Sequence, residues 1–367
     1  RRLAYIGSLH MNGEHTNYGL VSNLQAQDNA SGLNAGGNIH VVDSAIRNTG
    51  PGQATAFGAG QDADERQASV ARSTLEGAYL LTNSGTISNC QLRNAQYGTY
   101  YSNVFGSDYV DMGCNPMALD CTGLTGADAF AHRELMANTF SGGSGRVRAS
   151  LLRVSTETSR DLEGAYNHFI APLEGFPGLL LDRNYHGYLR LHSNTFLMPV
   201  DANTILAQSL VPYAVDNVVD VRGNRWDPAT TAAMLANAQT DIATLDDLWE
   251  NSNYQELAYS PPATGAFPLP RVTQPFWGQR FYVGDAITFE GSATDPEDGT
   301  VPPTSLHWYL NGTTPRGDGT TLVLNDLPAG TSGGTAVPAY YRMVLVVTDQ
   351  DGQEARLPVH FQVWPAP

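Results

Sequence analysis

A short pattern recurs down the middle of this chain: hydrophobic alternation, then Asn, one further residue, and a large aromatic. It occurs in RELMANTF ending at Phe140, DLEGAYNHF at Phe169, YLRLHSNTF at Phe196 and VDVRGNRW at Trp226. The asparagines are Asn138, Asn167, Asn194 and Asn224, separated by 29, 27 and 30 residues. Weaker copies lie upstream around Ile46, Leu75 and Leu92, where Ser44, Ser73 and Cys90 stand in the Asn position. A repeat of this length is one supersecondary unit that cannot bury its apolar face alone and must stack on its neighbours.

Alternation at the period of a strand assigns the faces. Counting back from each Asn, positions −3 and −5 hold Leu135, Leu162, Leu189, Leu191, Val219 and Val221, with Arg133 and Gly164 as exceptions. These are expected to point inward. Position −4 (Glu134, Glu163, Arg190, Asp220) and position −2 (Met136, Ala165, His192, Arg222) are expected to point out. Phe140, Phe169, Phe196 and Trp226 are expected to form one buried column beside the asparagines. Asn is read as taking the left-handed backbone of the turn and as hydrogen-bonding along the stack.

With these repeats the chain resembles the pectate-lyase-like superfamily of right-handed parallel β-helices over roughly residues 15–227. The resemblance implies a β-helix over 1–227, closed by GNRWD at Gly223–Asp227. A helical closing segment over 228–260, read from ATTAAMLANAQTDIATLDDLW, is expected to cover the end of the core. The opening RRLAYIGSLHMNGEHTNYGL has no amphipathic period and no helix start signal. Either more chain is therefore expected before Arg1, or the first coil is expected to meet a protein neighbour or polysaccharide. The absence of a signal peptide and an initiating Met points to a mature or cleaved product.

Residues 261–275, PPATGAFPLPRVTQP, hold five prolines and read as a semi-rigid extended linker. Short alternating strands with turn signals follow over 276–367, the pattern of an immunoglobulin-like sandwich. DAITFEGSATDPEDG, LHWYLNG and YRMVLVVTDQDGQEA resemble the PKD-like modules of secreted bacterial proteins, with Trp308 as the core tryptophan. The fold class expected is all-β.

Composition narrows the function. Acidic residues number 36 and basic ones 20, for a net charge of −16, and every basic residue is Arg. Phosphate backbones need clustered cations, so nucleic acid is an unsuitable partner. No stretch is long and apolar enough for a membrane span. Without Lys, no lyase mechanism that uses Lys as its base is open. An acidic, glycine-rich β protein of this kind is expected at the cell surface or outside the cell.

Candidate sites are few. LLLDRNYHGYLRLHSN brings together Asp182, Arg183, Tyr185, His186, Arg190 and His192. There Arg could neutralise a uronate and His or Tyr could move a proton. Equally, Glu163, Arg190 and Asp220 occupy one column and would form a surface charge ladder. Tyr97, Tyr100 and Tyr101 offer a stacking face for sugars, or simply fill a strand edge. Asp295, Glu297 and Asp298 in one loop, with Asp349 and Asp351 in another, are candidate calcium ligands, although DPEDG and DQDG are also good turns. No cofactor is required. Cys114 and Cys121 are a candidate disulfide pair, and Cys90 reads as a buried thiol. Neither a Gly-His-Gly element nor the paired-Asp strand of polygalacturonase-like enzymes occurs. These features favour a non-catalytic adhesin, matrix or surface-assembly subunit, with Tyr97, Tyr100 and Tyr101 as its candidate glycan-binding face. The alternative is a polysaccharide lyase or glycoside hydrolase with an unrecognised site.

Overall fold

A computed structural model describes residues 2–3, 9–12, 18–27, 33–36, 38–47, 55–59, 68–110, 122–125, 133–141, 150–155, 162–171, 179–182, 189–197, 205–208, 219–238, 257–258 and 261–367. The chain is all-β: a parallel β-helix followed by a sandwich of antiparallel and mixed sheets.

Three parallel ladders run along the helix. One joins Tyr18–Ser22, Asn38–Val42, Ser69–Ala71, the ends of Thr74–Ser88 and Gln91–Phe105, then Arg133–Met136, Leu162–Ala165, Leu189–His192, Val219–Asp220 and Leu257–Ala258. A second begins just past the turn and includes Gln25–Gln27, Ala45–Arg47, Asp108–Val110, Thr139–Ser141, His168–Ala171 and Thr195–Phe196. A third passes through Leu33–Gly36, Thr55–Ala59, Thr122–Thr125, Ser150–Ser155, Leu179–Asp182 and Ile205–Gln208. At the start, Arg2–Leu3, Leu9–Asn12 and Tyr18–Ser22 pair forward with the next coil.

The turn between the first two ladders is the spine of the molecule. Asn138, Asn167, Asn194 and Asn224 are fully buried there. The Oδ1 atoms of Asn167, Asn194 and Asn224 each accept from both the backbone N–H and the Nδ2 of the Asn one coil earlier, at 2.8–3.0 Å. Ser107 begins this amide ladder, its N–H donating to Asn138 Oδ1 at 2.9 Å. Upstream, hydroxyls and a thiol continue the column: Cys90 N–H donates to Ser107 Oγ, Ser44 N–H to Ser73 Oγ and Leu24 N–H to Ser44 Oγ. Ser107, in VFGSDY, sits on a further coil of the column that the Asn-x-Phe/Trp pattern did not mark. Cys90 is a buried free thiol, and burial pushes it up to about 12. Cys114 and Cys121 lie outside the described residues.

The rings two residues on stack as expected. Centroids are 4.5 Å apart for Tyr109–Phe140, 5.0 Å for Phe140–Phe169, 4.5 Å for Phe169–Phe196 and 4.3 Å for Phe196–Trp226. Leu135, Leu191 and Val221 at position −3 are buried. Gly164 is the exception because Leu191 fills its space: a methyl group there would lie 2.5 Å from a Leu191 methyl carbon.

One expectation is corrected. The left-handed conformation falls on the residue before each ladder position: Asn23, Asp43, Arg72, Asn89, Gly106, Ala137, Tyr166, Ser193 and Gly223, with φ from 48° to 71°. Their N–H groups donate to carbonyls of the following coil, as Ala137 does to Ala165 and Tyr166 to Ser193. The Asn is selected for its buried amide, which can accept and donate at once.

After Trp226, Asp227 Oδ1 caps the N–H groups of Ala229 and Thr230, and Pro228 opens the helix Pro228–Ala238. Thr231 Oγ1 donates back to Trp226 O. The expected helix beyond 238 lies outside the described residues, whereas Leu257–Ala258 returns as a strand on the first ladder.

In the sandwich, one sheet joins Leu269–Gln274, Ile287–Asp295, Gly299–Thr300 and Thr321–Leu324. The other runs Gln279–Tyr282, Glu354–Trp364, Ala339–Thr348, Leu306–Leu310, Thr314–Asp318. Trp308 is fully buried between them and donates from Nε1 to Gly319 O at 2.8 Å.

Residues 261–275, expected as a linker, and residues 276–280, expected as the start of the sandwich, form a strap laid back along the spine. Its contacts follow in order. Ala263 N–H donates to Asn224 O and Phe267 N–H to Thr195 Oγ1. Arg271 donates to Ala137 O, Thr139 Oγ1 and Asp108. Asn89 reaches Val272 O, Arg72 reaches Thr273 O and Ser69 Oγ reaches Trp277 O. Gly278 then presses on the His40 ring, and the Arg280 guanidinium lies over Tyr18. The strap explains why Met136 and Ala165, in an outward column, are buried. Phe105, Met136 and Ala137 belong to one apolar cluster with the sandwich core, and Val42 and Ala71 pack under Phe276.

Candidate functional site

Position −4 places Glu134, Glu163, Arg190 and Asp220 in register on successive coils. Arg190 is exposed. A second charge ladder, not anticipated from the sequence, runs one ladder over. There Arg47, Glu76 and Arg93 are in register, with Arg47 and Glu76 paired at 2.7 Å. Exposed ion pairs of this kind contribute about 0–1 kcal/mol. Replacing Arg190 with Ala is therefore expected to lower the melting temperature by no more than about 2 °C. A drop several times larger, read by calorimetry, would place this column in the interior.

The densest polar group on this face joins two columns diagonally. His192 Nε2 lies 2.9 Å from Glu163 Oε1, and His192 Nδ1 lies 3.1 Å from Ser193 Oγ. The His192 and Glu163 side chains are 18% and 27% exposed, so solvent reaches both. Tyr166 packs edge-on to His192 and to Phe267 of the strap. Burial raises the Tyr166 phenol above its ordinary value, amid Arg356, Glu354, Glu163 and Arg190. The sequence marks His192 as a site candidate and Glu163 as a ladder residue, but neither their pairing nor Ser193 was anticipated. The signal was present, since Glu163 at −4 and His192 at −2 are outward positions on consecutive coils.

Hydroxyl, imidazole and carboxylate in a chain can relay a proton. Acyl transfer also needs N–H donors free to meet an oxyanion. The adjacent backbone donors are engaged: Ser193 N–H bonds Gly223 O at 3.1 Å, and Asn194 N–H bonds Asn224 Oδ1 at 2.8 Å. The left-handed backbone of Ser193 is shared by every spine position and marks the fold, not a strained nucleophile. The group can therefore bind a polar ligand or hold a proton.

The other sequence candidates disperse. Asp182 sits on the third ladder, in register with Gln208 and Ser155, away from Arg190 and His192 on the first. Arg183, Tyr185 and His186 lie outside the described residues. Tyr97 and Tyr100 are on the strand Gln91–Phe105, opposite Leu80 and Asn83, with Tyr101 next along it. The side chains of these three tyrosines lie outside the described part of the structure.

The two acidic loops of the sandwich do meet, since Gln350 N–H donates to Asp298 Oδ2 at 3.2 Å. Asp295 Oδ1 accepts from Glu297 and Asp298 N–H, and Asp349 Oδ1 from Gln353 N–H. Glu297 turns away to Ala266 N–H and Arg225. Burial holds the Asp295 and Asp349 carboxyls above the usual carboxylate range. Asp351 lies beside Gly265 of the strap. Among the described residues, no group of three or more His, Cys, Asp or Glu is placed to hold a metal ion. Asp295 Oδ1 and Asp349 Oδ1 act as turn caps, while the buried Asp295 Oδ2 is left without a hydrogen-bond partner.

No helix among the described residues is long and apolar enough to cross a membrane. Compared with family models, curated proteins and solved structures, the chain matches none of them.

Proposed function

We propose that this chain is a non-catalytic extracellular or cell-surface protein: an adhesin, matrix or surface-assembly subunit whose β-helix serves as a rigid rod. The observation that carries this reading is the strap. A sandwich tethered by a free linker would swing, whereas here it is fixed to coil after coil from Asn224 to Tyr18. Rod and sandwich therefore stiffen one another, which suits a load-bearing or spacing element. The continuous amide and aromatic stacks supply the axial stiffness. The finer identification of the β-helix with the pectate-lyase-like superfamily rests on the Asn-x-aromatic coils. That of the sandwich as a PKD-like module rests on its strand motifs and Trp308.

A second reading, a polysaccharide lyase or hydrolase, is favoured by one feature: the Ser193–His192–Glu163 chain beside the exposed Arg190. The two are separated by incubating the protein with uronate-containing and neutral polysaccharides and following chain length. The structural reading expects no shortening, with or without retention of the glycan. Shortening that is abolished by His192→Gln would overturn it.

A further inference from the structure

Three histidines lie where the strap is seated. His40 is 2% exposed and its Nδ1 is 2.7 Å from Ser69 Oγ. Its ring packs against Tyr18 and Phe276, with centroids 5.0 and 6.1 Å away. Gly278 approaches so closely that a methyl group there would sit 2.3 Å from the ring, and its φ of +81° suits glycine. His168 is buried under the middle of the strap, with Nε2 2.7 Å from Phe267 O. His360, on the sandwich, stacks on Trp277 at 4.4 Å, and Trp277 stacks on Phe105 of the β-helix at the same distance. The middle of the strap, its C-terminal end and its docking residue Trp277 thus each rest on an imidazole.

We infer that this strap is an acid-opened latch: protonation of His40, His168 and His360 releases residues 261–280 and the sandwich from the spine while the coils stay folded. The surroundings of each ring favour the neutral form. Around His40 the charged groups are Arg280, over the Tyr18 ring, and Arg72, over the Phe276 ring and paired with Asp43. Beside His168 lies Arg271, paired with Asp108, together with Thr139 and Thr195. Facing His360 is Arg342, its register partner across the strands. At His168 and His360 a proton adds a cation beside Arg271 and Arg342, whereas at His40 burial alone opposes it. Burial, the first cause in each case, lowers all three to about 4. Free of the strap, each ring returns toward the ordinary value of about 6.5. A base whose pKa is depressed in the docked state stabilises docking fully above about 6.5, and that stability is lost as pH falls toward about 4.

The test is amide hydrogen exchange on the whole chain as a function of pH, corrected for intrinsic rates. Phe267 and Ala263 N–H report the strap, through Thr195 Oγ1 and Asn224 O on the spine. Asn138, Asn167 and Asn194 N–H report the coils. Between pH 6.5 and pH 4, strap protection is expected to fall about 100-fold or more while coil protection holds. In His168→Gln, whose amide can still donate to Phe267 O, the loss should be about tenfold smaller. Strap protection that is flat to pH 4 overturns the proposal. So does loss of strap and coil protection together, which is global unfolding. The wild-type profile decides even if the variant does not fold.

Discussion

Replacing Asn167 with Ala is expected to cost about 4 kcal/mol, among the largest effects of any single substitution in the chain. The Asn167 amide is fully buried. Its Oδ1 accepts from Asn138 N–H and Nδ2, and its Nδ2 donates to Leu135 O and Asn194 Oδ1, all at 2.8–3.0 Å. Truncation leaves buried donors and acceptors on three consecutive coils without partners. Water cannot replace the amide, because the ring stack from Tyr109 to Trp226 lies alongside. Asp, which restores the acceptor but not the donor, should be hardly better, since its buried charge meets Leu135 O. The check is the midpoint of urea unfolding. A loss below about 1 kcal/mol would mean that the ladder does not carry the fold.

The second large effect is expected at Trp277. Its indole lies between Phe105 of the β-helix and His360 of the sandwich, 4.4 Å from each ring. Trp277→Ala removes that contact from both sides and should cost about 3 kcal/mol. The loss should fall mainly on docking: urea unfolding should broaden or split, with the strap amides exchanging first. If unfolding remains a single sharp transition with an unchanged midpoint, rod and sandwich are not coupled through this residue.

What could be read from the sequence follows from where each contact lies along the chain. The spine was legible because a buried amide ladder tolerates few side chains, so Asn138, Asn167, Asn194 and Asn224 recur at coil spacing. Trp308 was legible because a sandwich core needs one large residue on its third strand. The left-handed position was not legible, since Asp43, Arg72, Ala137, Tyr166 and Ser193 share no side-chain chemistry, only a backbone angle. The docking was hidden for another reason. It joins residues 39 to 262 positions apart, largely through main-chain atoms such as Phe267 O, Val272 O and Trp277 O. The one trace it left was apolar residues, Met136 and Ala165, in a column otherwise assigned to solvent. The Glu163–His192 pair was recoverable from the column arithmetic, but the register that seats it opposite Tyr166 and the strap was not.

Coil-stacking proteins ordinarily gain or lose repeats with little consequence elsewhere, because each coil contacts only its neighbours. This chain has given up that freedom. Coil length still varies, from 17 to 31 residues between ladder positions. The number of coils, however, is measured by a single covalent ruler whose successive marks meet Asn224, Thr195, Ala137, Asn89, Arg72, Ser69 and His40. Deleting one coil would put every later mark out of step by about 4.8 Å. The length of the rod is therefore inherited as a fixed quantity, and lineages of this protein should differ in loop size before they differ in coil number.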